Sequence, residues 1–148
     1  MYFEFGKYKI DADTEKTSEY YNAAEEISCK CDGCRNYLKA AELFPAEVCD
    51  FFRSLGVDIK KGADIYVNCS ENNGAALFYG GFYHVCGELL SDTDCWGENG
   101  SLYTIADGFS VGFTKDAALV GQGFPAPTIQ MEICFHNVPW LLEEENTY

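Results

Sequence analysis

The sequence predicts an α+β fold, with a mainly antiparallel sheet of six to eight strands and one early helical pair. Short runs that alternate apolar and polar residues recur through most of the 148-residue chain, which is the period of a half-buried strand. Apolar residues at helical spacing are confined to one early stretch. Aromatic residues form 16% of the chain, and large rings favour a pleated surface.

The N-terminal segment is predicted to form two strands that run back on each other. Met1–Ile10 alternates as a strand, and the polar stretch Asp11–Ser18 predicts a turn. Tyr20–Lys30 is then expected to return as a second strand. Cys29 and Cys31 would share one face of it, because side chains alternate along a strand.

The helical pair follows a predicted turn at Asp32-Gly33. Apolar residues keep helical spacing from Cys34 to Leu43 and again up to Leu55. Pro45 suits the first turn of the second helix, and Gly56 suits its C-terminal end.

The rest of the chain is predicted to be strands separated by polar or glycine-rich loops. The predicted strands are Asp64–Ser70, Leu77–Leu90, Leu102–Ile105, Phe109–Thr114 and Thr128–His136. Gly80-Gly81 is expected to bend the long one. Residues 143–148 are expected to form a charged tail.

Size and charge limit the function classes. A chain of this length predicts one domain over residues 1–148, which can bury about two thirds of its unfolded surface without needing a disulfide or metal. Its 24 acidic and 10 basic residues give a net charge of −14. Such a surface repels nucleic acid and anionic membranes, and it favours a protein partner with a basic surface. Residues 1–10 lack the apolar run of a signal peptide, so a cytoplasmic location is expected.

The densest chemical feature is the segment Cys29-Lys30-Cys31-Asp32-Gly33-Cys34, which places three thiols within six residues. Zinc binds thiolates, so these cysteines are candidate metal ligands, with the fourth ligand to come from His84, Cys86 or Cys95. Cys34 is expected at a helix start, where the helix dipole favours a thiolate.

Two other interpretations of the three thiols remain open. Cys31 and Cys34 form a C-x-x-C at a strand-to-helix turn, which is the arrangement of a redox dithiol. Free cysteines are also among the most buried residue types, so the cluster could serve as core packing. His84 shares a predicted strand face with Phe82 and Cys86, and a buried histidine with one hydrogen bond is the plainer alternative to a ligand.

Two catalytic or metal motifs match in part and are set aside. Gly108-Phe109-Ser110-Val111-Gly112 has the spacing of a serine nucleophile elbow, but the chain is predicted to continue as a strand where that motif needs a helix. Asp92-Thr93-Asp94 begins like a calcium-binding loop, yet Tyr103 stands where the bidentate glutamate belongs.

Three segments together resemble a family of small, uncharacterised bacterial cytosolic proteins. They are Cys29 to Tyr37 (CKCDGCRNY), Gly80 to His84 (GGFYH) and Val138 to Leu142 (VPWLL). The resemblance spans most of the chain and implies a bacterial cytosolic protein. It brings no activity, cofactor or site residue.

The sequence therefore supports two hypotheses of function. The first is a non-enzymatic binding or interaction module, since no complete catalytic set is apparent and the surface is acidic. The second is a zinc-binding or thiol-dependent protein that uses Cys29, Cys31, Cys34 and His84. Convergence of the sulfur atoms in one cleft would favour the second.

Overall fold

The computed structural model describes residues 1–148, and its main feature is a seven-stranded sheet in which every pair of neighbouring strands is antiparallel. The strands are β1 (Tyr2–Phe5), β2 (Tyr8–Ala12), β3 (Asp64–Glu71), β4 (Ala76–Leu89), β5 (Tyr103–Ala106), β6 (Phe109–Thr114) and β7 (Thr128–Pro139). The helices are α1 (Thr14–Ala23), α2 (Asp32–Ala41) and α3 (Ala46–Leu55). The α+β class, the antiparallel sheet and the early helical pair are thus confirmed.

Strand β4 is the centre of the sheet. One of its edges pairs with β7 from Ala76 to Cys86, and β7 is followed outward by β6 and β5. The other edge is shared by two strands, because β3 pairs with its first half and β2 pairs with residues 87–89. The four residues between, 83–86, have no strand partner on that edge.

Helix α1 and its N-cap residue Asp13 supply hydrogen-bond partners for this part of the edge. The Tyr21 hydroxyl donates to the His84 carbonyl at 2.8 Å and accepts from the His84 N–H at 3.0 Å. The Thr17 hydroxyl accepts from the Cys86 N–H at 3.0 Å, and the Asp13 N–H donates to the Cys86 carbonyl at 2.8 Å. A buried backbone without partners would be costly, so α1 replaces the missing strand.

The helices cover one face of the sheet and form an aromatic core with it. Phe52 of α3 lies 4.9 Å from the Tyr83 ring centroid, and Tyr37 of α2 lies 5.1 Å from that of Tyr79. The buried tyrosines keep their hydroxyls bonded, since Tyr37 meets Tyr83 at 2.7 Å and Tyr83 donates to the Ile59 carbonyl at 2.6 Å. No buried side-chain polar atom lacks a partner.

The N-terminal segment differs from its prediction. Met1–Ile10 was predicted to form one strand. Instead, β1 and β2 form a tight hairpin over residues 2–12. The predictions of a turn at Asp11–Ser18 and a strand at Tyr20–Lys30 are wrong, because α1 occupies Thr14–Ala23. Asp13 caps this helix by accepting from the Lys16 N–H at 3.0 Å.

The strand interpretation failed because the stretch has little amphipathic pattern of its own. The two buried side chains of α1, Thr17 and Tyr21, are four residues apart and so lie on one face of the helix. That face is buried only because it packs against the unpaired edge of β4. None of the three helices combines the length and apolar character needed to span a bilayer.

The substitution Tyr21→Phe tests the role of α1. Loss of the hydroxyl leaves the His84 N–H and carbonyl without partners, so we expect the free energy of unfolding to fall by about 1–3 kcal/mol. Urea denaturation followed by circular dichroism measures the change. Tyr20→Phe is the matched control, and a loss as large in that variant would contradict the role of Tyr21.

Candidate metal centre

The three cysteines lie where an extended segment enters α2. Residues 25–31 carry no regular secondary structure, and the Ile27 N–H fixes them by donating to the Lys60 carbonyl at 3.0 Å. Helix α2 begins at Asp32 with Cys31 as its N-cap residue. The predicted turn at Asp32-Gly33 is therefore the first turn of the helix, because the Cys31 sulfur caps it by accepting from the Cys34 N–H at 3.4 Å.

The fold brings the three sulfur atoms together. All three Sγ atoms lie within 4.8 Å of one another, and Cys29 Sγ is 3.2 Å from Cys31 Sγ. Cys29 and Cys31 are exposed, whereas Cys34 is only 5% exposed and its sulfur lies 3.9 Å from the Ile65 carbonyl of β3. All eight cysteines of the chain are free thiols. The sequence suggested this convergence on the assumption that the cysteine segment continues a strand. That strand does not form.

The thiols differ in acidity. A hydrogen bond from the Cys31 backbone, then contacts with the Cys31 and Cys34 side chains, lower the pKa of Cys29. Burial raises the pKa of Cys34 strongly, and hydrogen bonds with Cys29 and Cys31 raise it further. The expectation of a stabilised thiolate at Cys34 is wrong, because burial of its sulfur disfavours the charged form. Cys29 is therefore a more acidic thiol than Cys34.

The cluster lines a cleft of about 510 Å³ between the extended segment and β3. Tyr148 closes one side, where its hydroxyl accepts from the Gly33 N–H at 3.0 Å. Position 33 has no room for a side chain, since a Cβ would lie 2.8 Å from Val67 Cγ2. Arg35 holds the tail nearby through Glu144 at 3.3 Å. The C-terminal tail thus forms part of the site, and no local sequence signal indicated this.

The sulfur positions suit a thiophilic metal ion. Zinc–sulfur bonds of about 2.3 Å in a tetrahedral arrangement separate the sulfurs by about 3.8 Å, which lies between the closest approach and the widest spacing in the cluster. Adjustments of less than about 1 Å, mainly by the exposed side chains of Cys29 and Cys31, would complete the fit. Three protein ligands leave one position for a further ligand.

His84 and the other candidate fourth ligands lie elsewhere. His84 is 3% exposed on β4, and its Nε2 meets Gln130 Oε1 at 3.1 Å. Burial lowers the pKa of His84, so the ring is neutral near pH 7. Cys86 Sγ is 3.9 Å from the Ala126 carbonyl, and Cys95 lies against Gly112 of β6. The structure therefore unites Cys29, Cys31 and Cys34 without any of the three.

Comparisons with family models, with curated proteins and with solved structures found no match for this chain. The family resemblance stays a prediction. Its three segments contact one another in the fold: Asn36 Nδ2 donates to the Pro139 carbonyl at 3.0 Å, the Leu141 N–H donates to Asn36 Oδ1 at 2.6 Å, and Tyr37 meets Tyr83.

The acidities predict an order of alkylation. Brief treatment with iodoacetamide at pH 7 should modify Cys29 well before Cys34, because Cys29 is exposed with a lowered pKa and Cys34 is buried with a raised one. As the pH is lowered, the alkylation rate of Cys29 should begin to fall at a lower pH than the rate of an ordinary thiol does. Peptide mass spectrometry measures each site, with exposed Cys69 as the reference outside the cluster. Equal alkylation rates at Cys29 and Cys34 would contradict the assignment of Cys29 as the more acidic of the two thiols.

Proposed function

We propose that the protein is a non-enzymatic binding module for a thiophilic metal ion, with zinc the leading candidate, held by Cys29, Cys31 and Cys34. The observation that carries the proposal is the convergence of three Sγ atoms within 4.8 Å at the mouth of a cleft. Thiolates are soft ligands and favour zinc or copper(I) over calcium or magnesium.

The surroundings of the sulfurs support binding rather than packing. Two of the three thiols are exposed, whereas cysteines used as core residues would be enclosed by apolar side chains. The lowered pKa of Cys29 favours its thiolate, which is the form that binds a metal ion. The buried thiol of Cys34 would then be deprotonated by the bound cation, which offsets the cost of its burial.

A protein partner with a basic surface is a second candidate function. Salt bridges engage seven of the 24 carboxylates, so most of the negative charge has no internal counterion. Electrostatic attraction of this kind raises association rates and selects against anionic surfaces. The two functions are compatible, because a metal held by three residues keeps a position that a partner could fill.

Titration of the reduced protein with Cd²⁺ or Zn²⁺ tests the metal site. We expect one ion per chain, with a thiolate-to-cadmium absorption band, and loading with Zn²⁺ first should raise the Cd²⁺ concentration needed to produce that band. Because protons compete with the ion for each sulfur, the affinity should fall steeply as the pH is lowered. Cys31→Ser and Cys34→Ser should each weaken binding by about 100-fold or more, since each removes one of three protein ligands.

Cys69→Ser is the matched control, because Cys69 is an exposed thiol outside the cluster and its loss should leave the affinity unchanged. Urea unfolding of each variant without metal separates loss of a ligand from loss of the fold. Wild-type protein that shows no thiolate-to-metal band, or binding that survives in a folded Cys31→Ser variant, would overturn the proposal.

A further inference from the structure

The face of the sheet that points away from the helices carries a regular array of polar and aromatic side chains. The strand register aligns Asp64, Phe82, Glu132 and Gly112 in one row across β3, β4, β7 and β6. The next row contains Tyr66, Gly80, Cys134 and Ser110. The row on the other side contains His84, Gln130 and Thr114. Residues directly opposite one another share a face, so these side chains are neighbours.

Loops cover part of this face. The His84 row lies beneath residues 115–126, where the Ala118 N–H donates to Gln130 Oε1 at 2.8 Å. Loop 91–102 lies against β6, since a Cβ on Gly112 would lie 2.7 Å from Cys95 Cβ. Between the two covers, Glu132, Phe82 and Asp64 are half-buried, and Tyr66 and Trp96 are exposed. We call this surface the Glu132 trough, formed by Asp64, Tyr66, Phe82, Trp96 and Glu132.

Three aromatic rings belong to the trough. Tyr66 is 45% exposed and lies flat over Gly80, where a Cβ would be only 2.6 Å from its Cε2 atom. Phe82 is half-buried beside Glu132 and lies 5.8 Å from the His84 ring. Trp96, next to Cys95 on loop 91–102, is 68% exposed. Exposed rings at fixed positions are the usual anchors of a recognition surface.

The carboxylate at the floor has no cationic partner. Glu132 is half-buried and takes part in no salt bridge; its Oε1 accepts a hydrogen bond from Gln130 Nε2 at 3.1 Å, and the Trp96 side chain lies close enough to act as a further donor. Burial raises the pKa of Glu132, and the Asp64 charge adds to this rise against the opposing effects of Gln130 and Trp96. A half-desolvated carboxylate between rings is the complement of a flat, weakly hydrated cation.

We propose that the Glu132 trough binds an arginine side chain of a basic partner protein. A guanidinium can stack on aromatic faces while its N–H groups reach a carboxylate, which an ammonium does less well. Asp64 in the same row supplies a second acceptor at the rim. The assignment rests on the basic-partner candidate above and is independent of the cysteine cluster.

Nuclear magnetic resonance of the two indole N–H groups tests the trough. A blocked Gly-Arg-Gly peptide should shift the Trp96 signal and leave the Trp140 signal unchanged, with assignments made from the Trp140→Phe variant. The same peptide with citrulline, which keeps the shape and loses the charge, should shift neither. A lysine peptide should bind several-fold more weakly, because an ammonium cannot stack in the same way.

Two charge-matched variants separate the trough from general attraction. Glu132→Gln should weaken binding of the arginine peptide about tenfold, whereas Glu143→Gln, which removes an exposed charge from the tail, should change it less than about twofold. Equal losses in the two variants, or an unshifted Trp96, would overturn the trough.

Deca-arginine measures the underlying candidate function. If it binds the protein equally well before and after Glu132→Gln, the basic-partner function stands and the trough is wrong. If it does not bind at physiological ionic strength, both are wrong. Stronger binding to wild-type protein than to Glu132→Gln, with Glu143→Gln unchanged, supports both.

Discussion

The structure depends on how the free part of the β4 edge is satisfied. Strands β2 and β3 each pair with only part of that edge, and the Tyr21 and Thr17 hydroxyls bond the backbone left between them. Because α1 must sit at this edge, the chain after it is led past β3 toward the start of α2. The thiol segment then lies against residues 62–67, with which it lines the cleft, and the Ile27 N–H donates to the Lys60 carbonyl.

The thiol cluster is organised by the same elements that build the fold. Cys31 caps α2. Cys34 lies in the first turn of α2 and is buried against β3, and Cys29 lies on the exposed extended segment before the helix. One short segment thus gives three thiols different burial and different acidity while keeping their sulfur atoms close. Three sulfur atoms held this close together at a helix N-terminus could hold a metal ion.

The two faces of the sheet differ in how they are covered. The helix face holds the stacked rings and bonded tyrosines of the core, whereas the other face is only partly covered by loops and carries the unpaired Glu132. Tyr66 of β3 borders both the cysteine cleft and the trough. A partner at the proposed trough would therefore stand next to the cysteine cleft.

The sequence by itself determined the fold class, the helical pair, the alternation of β7 and the closeness of Cys29 and Cys31, because these depend on local period and spacing. The sequence did not indicate α1, because the buried face of this helix packs against an unpaired strand edge that local pattern does not reveal. It also did not indicate the acidity of Cys34, which depends on burial against β3. The position of His84 away from the thiols, the return of Tyr148 and the trough around Glu132 were decided only by tertiary structure. They arise from strand register and from contacts between residues distant in the chain, and no local pattern encodes these.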